Sequence, residues 1–122
     1  DTDLPKTGKT IEGISKIFNH VSNKYYLGFK LLVVGYWNGS VFIPIDFSLH
    51  RESKKSQLKY GLTAKQRKFQ KKTQRANYTT AAKRFKELNK KKTDVLVQMF
   101  SRVVKRKIPV DYILMEVRRI RE

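Results

Sequence analysis

The chain has 122 residues, with 28 Lys or Arg against 10 Asp or Glu, a formal net charge of +18 and no cysteine. That length holds at most one domain with a modest core. The lack of cysteine excludes a disulfide framework and any thiolate metal site, and no apolar run is long enough to span a bilayer or act as a secretory signal. Those two absences suit a protein with no membrane partner in a reducing, cytoplasmic setting, and a charge so far from neutral predicts salt-sensitive attraction to nucleic acid or another polyanion.

Residues 1–24 read as a loop with a brief apolar return at Ile14, Ile17 and Phe18. If the segment is extended, Asp1 and Asp3 fall on one face, a geometry that suits oxygen coordination of a divalent cation; the plainer reading is a solvated terminus. Gly8-Lys9-Thr10 is not a phosphate-binding P-loop, because no glycine stands five residues earlier and no strand-to-helix context follows. His20 near the next element reads as structural before it reads as a DNA-positioning group.

Residues 25–50 carry the strongest local pattern. Leu27, Phe29, Leu31 and Val33, then Val41, Ile43, Ile45, Phe47 and Leu49, are apolar at every second position, the period of a strand, and Asn38-Gly39 suits a two-residue type I′ turn. The expectation is a β-hairpin. Its intervening positions, including Leu32, Val34, Tyr36, Phe42 and Asp46, are also largely apolar, so cover on both faces is expected. Tyr36 and Trp37 at the turn suit packing more readily than stacking on a base.

The composition then changes. Between Arg51 and Lys92 there are sixteen Lys or Arg and only two acids, Glu52 and Glu87. Residues 51–79 form a basic insertion of weak periodicity, expected to be mobile unless an anion orders it. Any single lysine here is best read as solvated, whereas the cluster as a whole favours phosphate contact. From residue 80 to 108 apolar residues recur at three- and four-residue steps, predicting one long helix with an irregularity at Lys90-Lys91-Lys92 or a second helix capped at Thr93 or Asp94. After Pro109, residues 110–116 read as a short buried strand ending at Glu116. Asp1, Asp3 and Glu116, with no His or Cys cluster, would favour Mg²⁺ or Mn²⁺.

The run DTDLPKTGKTIEGISKIFNH, then GFKLLVVGYWNGSVFIPIDFSLH, a lysine-rich insertion, and a helix leading into PVDYILM and an acid together resemble the catalytic domain of DDE-type transposases of bacterial insertion sequences. The resemblance covers nearly the whole chain and implies an α/β, ribonuclease H-like fold: a β-hairpin, a long helix and a further strand in an incomplete sheet. It also implies metal-dependent cleavage and joining of DNA strands at the element's ends. Carried over by position, Asp1 matches the first metal-binding aspartate, with Asp3 as second candidate, and Glu116 stands where the family has its second aspartate. Asp1 and Glu116 would then be the catalytic pair, with Asp1, Asp3 and Glu116 holding Mg²⁺ or Mn²⁺. Lys6, Lys9, Lys54, Lys55, Lys65, Arg67, Lys68, Lys71, Lys72, Arg75, Lys83 and Arg84 would contact DNA. The family's later helical glutamate has no counterpart here, so the expectation is a fragment, inactive alone, of a DNA-associated parent that forms a homodimer. The competing reading is a basic nucleic-acid-binding module without catalysis.

Overall fold

The structure, a computed structural model, describes residues 2–52 and 58–114. It is mixed α/β, with a four-stranded antiparallel sheet and three helices among the described residues. The strands are β1 (Thr2–Pro5), β2 (Ser15–Asn19), β3 (Lys24–Trp37) and β4 (Phe42–His50). The helices are α1 (Ala64–Lys68), α2 (Thr80–Glu87) and α3 (Lys92–Lys105). None is long and apolar enough to cross a membrane.

β3 is the central strand. Lys30 pairs with both Asp3 and His50, and Gly28 with both Pro5 and Ser15. A strand has two edges, so β1 occupies one edge of β3 while β2 and β4 share the other, end to end. The segment expected as a loop therefore supplies two strands. Asn19 makes this possible at the β2–β3 turn, where its Oδ1 accepts from the backbone N–H groups of Val21 and Ser22. Gly28 permits close approach of β1: a Cβ there would collide with the Leu4 carbonyl oxygen, and its φ of 159° is extended.

The expected hairpin forms, but its turn is displaced. Trp37 pairs with Phe42, and Asn38 N–H donates to Val41 C=O at 3.3 Å, so Gly39 and Ser40 are the central pair, with Gly39 at φ 98°. The Asn38 side chain accepts from Ser40 and Val41 N–H at 2.9 and 2.8 Å. Further along, Gly35 pairs with Pro44 and Val34 with Asp46, leaving Ile45 as the extra residue of a β-bulge. Pro44 has no N–H to give the ladder and sits where a bulge tolerates it. Cross-strand partners share a face. Ile43 therefore lies with Tyr36 on one face and Phe47 with Val33 on the other, and the apolar series from Val41 to Leu49 does not form a single core row. Val41, Ile43 and Phe47 are exposed, whereas Asp46, Ser48 and His50 are buried.

The core on one face comprises Ile14, Phe29, Leu62 and Leu88, with Ile11, Leu27 and Leu49 packed against them. The opposite face holds the polar row of β4 beneath α2 and α3. Asp46 accepts from Arg84 of α2 and, at 2.8 Å, from Arg102 of α3, and Arg84 also binds Glu87 at 3.1 Å. His50 Nε2 lies 2.7 Å from Ser48 Oγ, and its Nδ1 donates to Lys90 C=O at 3.3 Å; burial holds its pKa below the ordinary histidine value.

The single long helix is broken into α2 and α3. Leu88 C=O accepts from Arg51 N–H at 3.1 Å and Lys90 C=O from His50, so two carbonyls that a continuous helix would use bind the end of β4 instead. Lys91, extended at ψ 135°, becomes the N-cap of α3, rather than Thr93 or Asp94. Val110–Leu114 form no strand and are exposed, except that residues 115 and 116 of the expected strand lie outside the described ones.

The described part of the basic insertion, from residue 58 onward, packs on the rest of the chain. Leu62 is fully buried, Thr63 and Gln66 form a capping box on α1, and residues 70–75 are stitched to residues 10–14. Lys71 N–H donates to Thr10 C=O at 2.8 Å, while the Gln70 side chain accepts from Gly13 N–H and donates to Ile14 C=O. Glu12 takes Thr73 N–H and the Arg75 guanidinium. These bonds fasten the strap, residues 58–79, to residues 10–14.

Removing one member of a buried ion pair leaves the other uncompensated, at a typical cost of about 3–5 kcal/mol. Asp46→Ala is expected to fall in that range by urea unfolding, and Phe47→Ala, at a half-exposed apolar position, to cost clearly less.

Candidate nucleic-acid interface

The acidic groups of the described residues are mostly spent inside the fold. Asp3 sits on β1 directly opposite Lys30, whose Nζ donates to Asp3 Oδ1 and, at 2.8 Å, to Phe18 C=O. Asn19 Nδ2 donates to the other oxygen, Asp3 Oδ2, at 2.6 Å. Glu52 lies 3.9 Å from Lys30 Nζ and accepts from Phe18 N–H at 3.1 Å. Burial by itself would raise the Asp3 pKa. The hydrogen bonds from Lys30 and Asn19, with the positive charges of Lys30 and Lys92, outweigh it and hold the carboxyl below the ordinary aspartate range. Lys92, at the start of α3, is shifted below the usual lysine value, chiefly by burial and then by Lys30, against the pull of Glu52 and Asp3.

This geometry bears directly on metal binding. Each Asp3 oxygen already accepts one hydrogen bond, Oδ1 from Lys30 and Oδ2 from Asn19. Among the described residues no group of three or more His, Cys, Asp or Glu is placed to hold a metal ion. Asp1 and Glu116 lie outside the described residues.

The basic residues divide by type. Arg67 donates to Lys59 C=O and, at 2.8 Å, to Leu62 C=O; Arg75 is held by Glu12, and Arg84 by Asp46 and Glu87. These three members of the expected DNA-contact set therefore hold the fold together. Lys6, Lys9, Lys65, Lys68, Lys71, Lys72 and Lys83 are exposed and in no ion pair with another described residue. The Lys71–Thr10 backbone bond sets Lys9 beside Lys71 and Lys72 and joins the two basic segments into one surface. Lys54 and Lys55 lie outside the described residues. His20 is exposed with its ring edge-on to Phe18 at 5.0 Å, and Trp37 is exposed at the hairpin end.

The buried row Asp46, Ser48, His50 was the feature missed from sequence. Its signal was available, since polar residues at every second position of a strand mark one face. The apolar neighbours Ile45, Phe47 and Leu49 masked it.

The chain matches no model of a known protein family, no curated protein and no solved structure.

Because the native Asp3 pKa is depressed, the native state binds fewer protons than the unfolded one as the carboxyl titrates. The stabilisation is complete above the unfolded value of 3.8 and is lost as pH falls through the lower native one. Urea midpoints measured from neutral to strongly acid pH should fall less steeply in that acid window for Asp3→Asn than for the wild type. The remaining slope belongs to carboxyls such as Glu12, whose pKa is also depressed, chiefly by its hydrogen bond from Arg75.

Proposed function

We propose that the chain engages DNA as part of a DDE-type transposase catalytic domain of ribonuclease H-like character. The observation that carries the reading is the exposed lysine surface formed where the strap crosses residues 9–10. The acids that would offset it are already paired inside the fold. A surface of this kind attracts a phosphate backbone and repels itself in its absence. The antiparallel strands around β3, with β1 on one edge, are compatible with the sheet that the resemblance implies. In this reading the parent cleaves and joins DNA strands with Mg²⁺ or Mn²⁺, and the metal ligands are drawn from Asp1, Asp3 and Glu116.

One observation favours the second reading, a basic nucleic-acid-binding module without catalysis. The one carboxylate of the expected metal set that lies among the described residues, Asp3, is paired with Lys30. The two readings part at Asp1. Titration calorimetry with Mn²⁺ should detect binding to the wild type and none to Asp1→Ala, while both bind duplex DNA with the same salt dependence. Equal Mn²⁺ binding by the two proteins, or none by either, would favour the non-catalytic module.

A further inference from the structure

Arginine and lysine do different work at a DNA surface. Both can reach a guanine edge, but arginine's rigid planar fork is pre-organised to bridge its two acceptors, whereas lysine is a compact, flexible point charge better matched to phosphate. In this fold the arginines are largely withdrawn. Of the six within the described residues, five have engaged side chains: Arg51 donates to Asn89 at 2.7 Å and lies 3.9 Å over the Tyr60 ring, Arg67 caps the Lys59 and Leu62 carbonyls, and Arg75, Arg84 and Arg102 bind Glu12, Asp46 and Glu87. Ring faces reinforce two of these, with Arg75 over Phe85 and Arg84 over Phe47, each at 5.5 Å. Arg106 is exposed at the end of α3, and Arg118, Arg119 and Arg121 lie outside the described residues. The strap surface around Lys9, Lys65, Lys68, Lys71 and Lys72 offers lysines and no unengaged arginine among the described residues. The α-helix among its described residues, α1, has five residues, too short to lay a reading face along a groove.

We infer that the strap surface binds duplex DNA through its phosphates, without regard to base sequence, so that any choice of target is made elsewhere. The inference rests on the DNA-binding reading and specifies its mode. Phosphate contacts position a protein on the duplex but carry no sequence information.

The test is selection from a random duplex library with the full chain, followed by fluorescence-anisotropy titrations over a range of salt. No motif should be enriched, and unrelated duplexes should bind alike. The logarithm of affinity should fall linearly with that of salt, by about 0.9 for each phosphate engaged. Lys71→Gln/Lys72→Gln, both exposed and remote from the core, should weaken every duplex by one common factor and make the slope shallower by about 2. Enrichment of a motif bound more than about tenfold tighter than its scramble, the discrimination expected of a single base pair, would overturn the inference while leaving DNA binding in place. Failure to bind any duplex at low salt would overturn the inference and the DNA-binding reading together. Unchanged affinity and slope in the double variant would move the binding surface off the strap.

Discussion

The ammonium of Lys30 is the point on which the sheet depends. It lies 7% exposed on the central strand, donating to Asp3 of β1 and to the Phe18 carbonyl of β2, with Glu52 from just beyond β4 at the edge of its reach. A buried ammonium is costly unless its donors are used and its charge is balanced. Here both conditions are met only when three strands and the chain leaving the fourth are in place together. The arrangement therefore specifies register more than it adds stability. A slip of β1 by one residue would carry Asp3 to the opposite face and leave Lys30 without its carboxylate.

A second buried polar centre does the same for the helices. Asp46 joins α2 through Arg84 and α3 through Arg102, and His50 ties the connection between them through Lys90 C=O. These contacts explain why helices cover the polar row of β4 while Phe47 and Val33 stay partly exposed on the other face. Guanidinium groups are suited to such a place, being more weakly hydrated than ammonium and able to bind two acceptors at fixed angles. Arg84 does so between Asp46 and Glu87.

What could be read from sequence was local, and what could not was set by tertiary partners. The strand period of residues 25–50 located β3 and β4 because alternation depends only on near neighbours. The bulge at Ile45 escaped because it requires knowing that Pro44 faces Gly35, a pairing across the sheet. The helical period after residue 80 was legible, but the break at Lys91 was not, since the carbonyls that end α2 are claimed by Arg51 and His50. The strap looked structureless because its order comes from Gln70, Lys71 and Arg75 meeting residues 10–14, some sixty positions earlier. For the candidate site, the excess of positive charge was visible in the composition; which cations were already spent was not. That Asp3 faces Lys30 was not legible either, because its opposite number on β3 cannot be identified without the register.

The partition of charge follows from these constraints. Five of the seven acids among the described residues, Asp3, Glu12, Asp46, Glu52 and Glu87, face internal cations, and Arg75, Arg84, Arg102 and Lys30 serve as those cations. Each internal pair is close to neutral, so it removes an acid from the surface without removing the surrounding lysines. The surface therefore keeps the net positive charge of the chain with few acids interspersed, and its charges are the flexible, strongly hydrated kind. Such a surface opposes the compact state through its own repulsion, and a bound polyanion relieves that repulsion as it binds. The contacts that build the core of this domain and the excess of charge that suits it to DNA are thus one arrangement: acids withdrawn to hold strands and helices in register leave the lysines of the strap uncompensated.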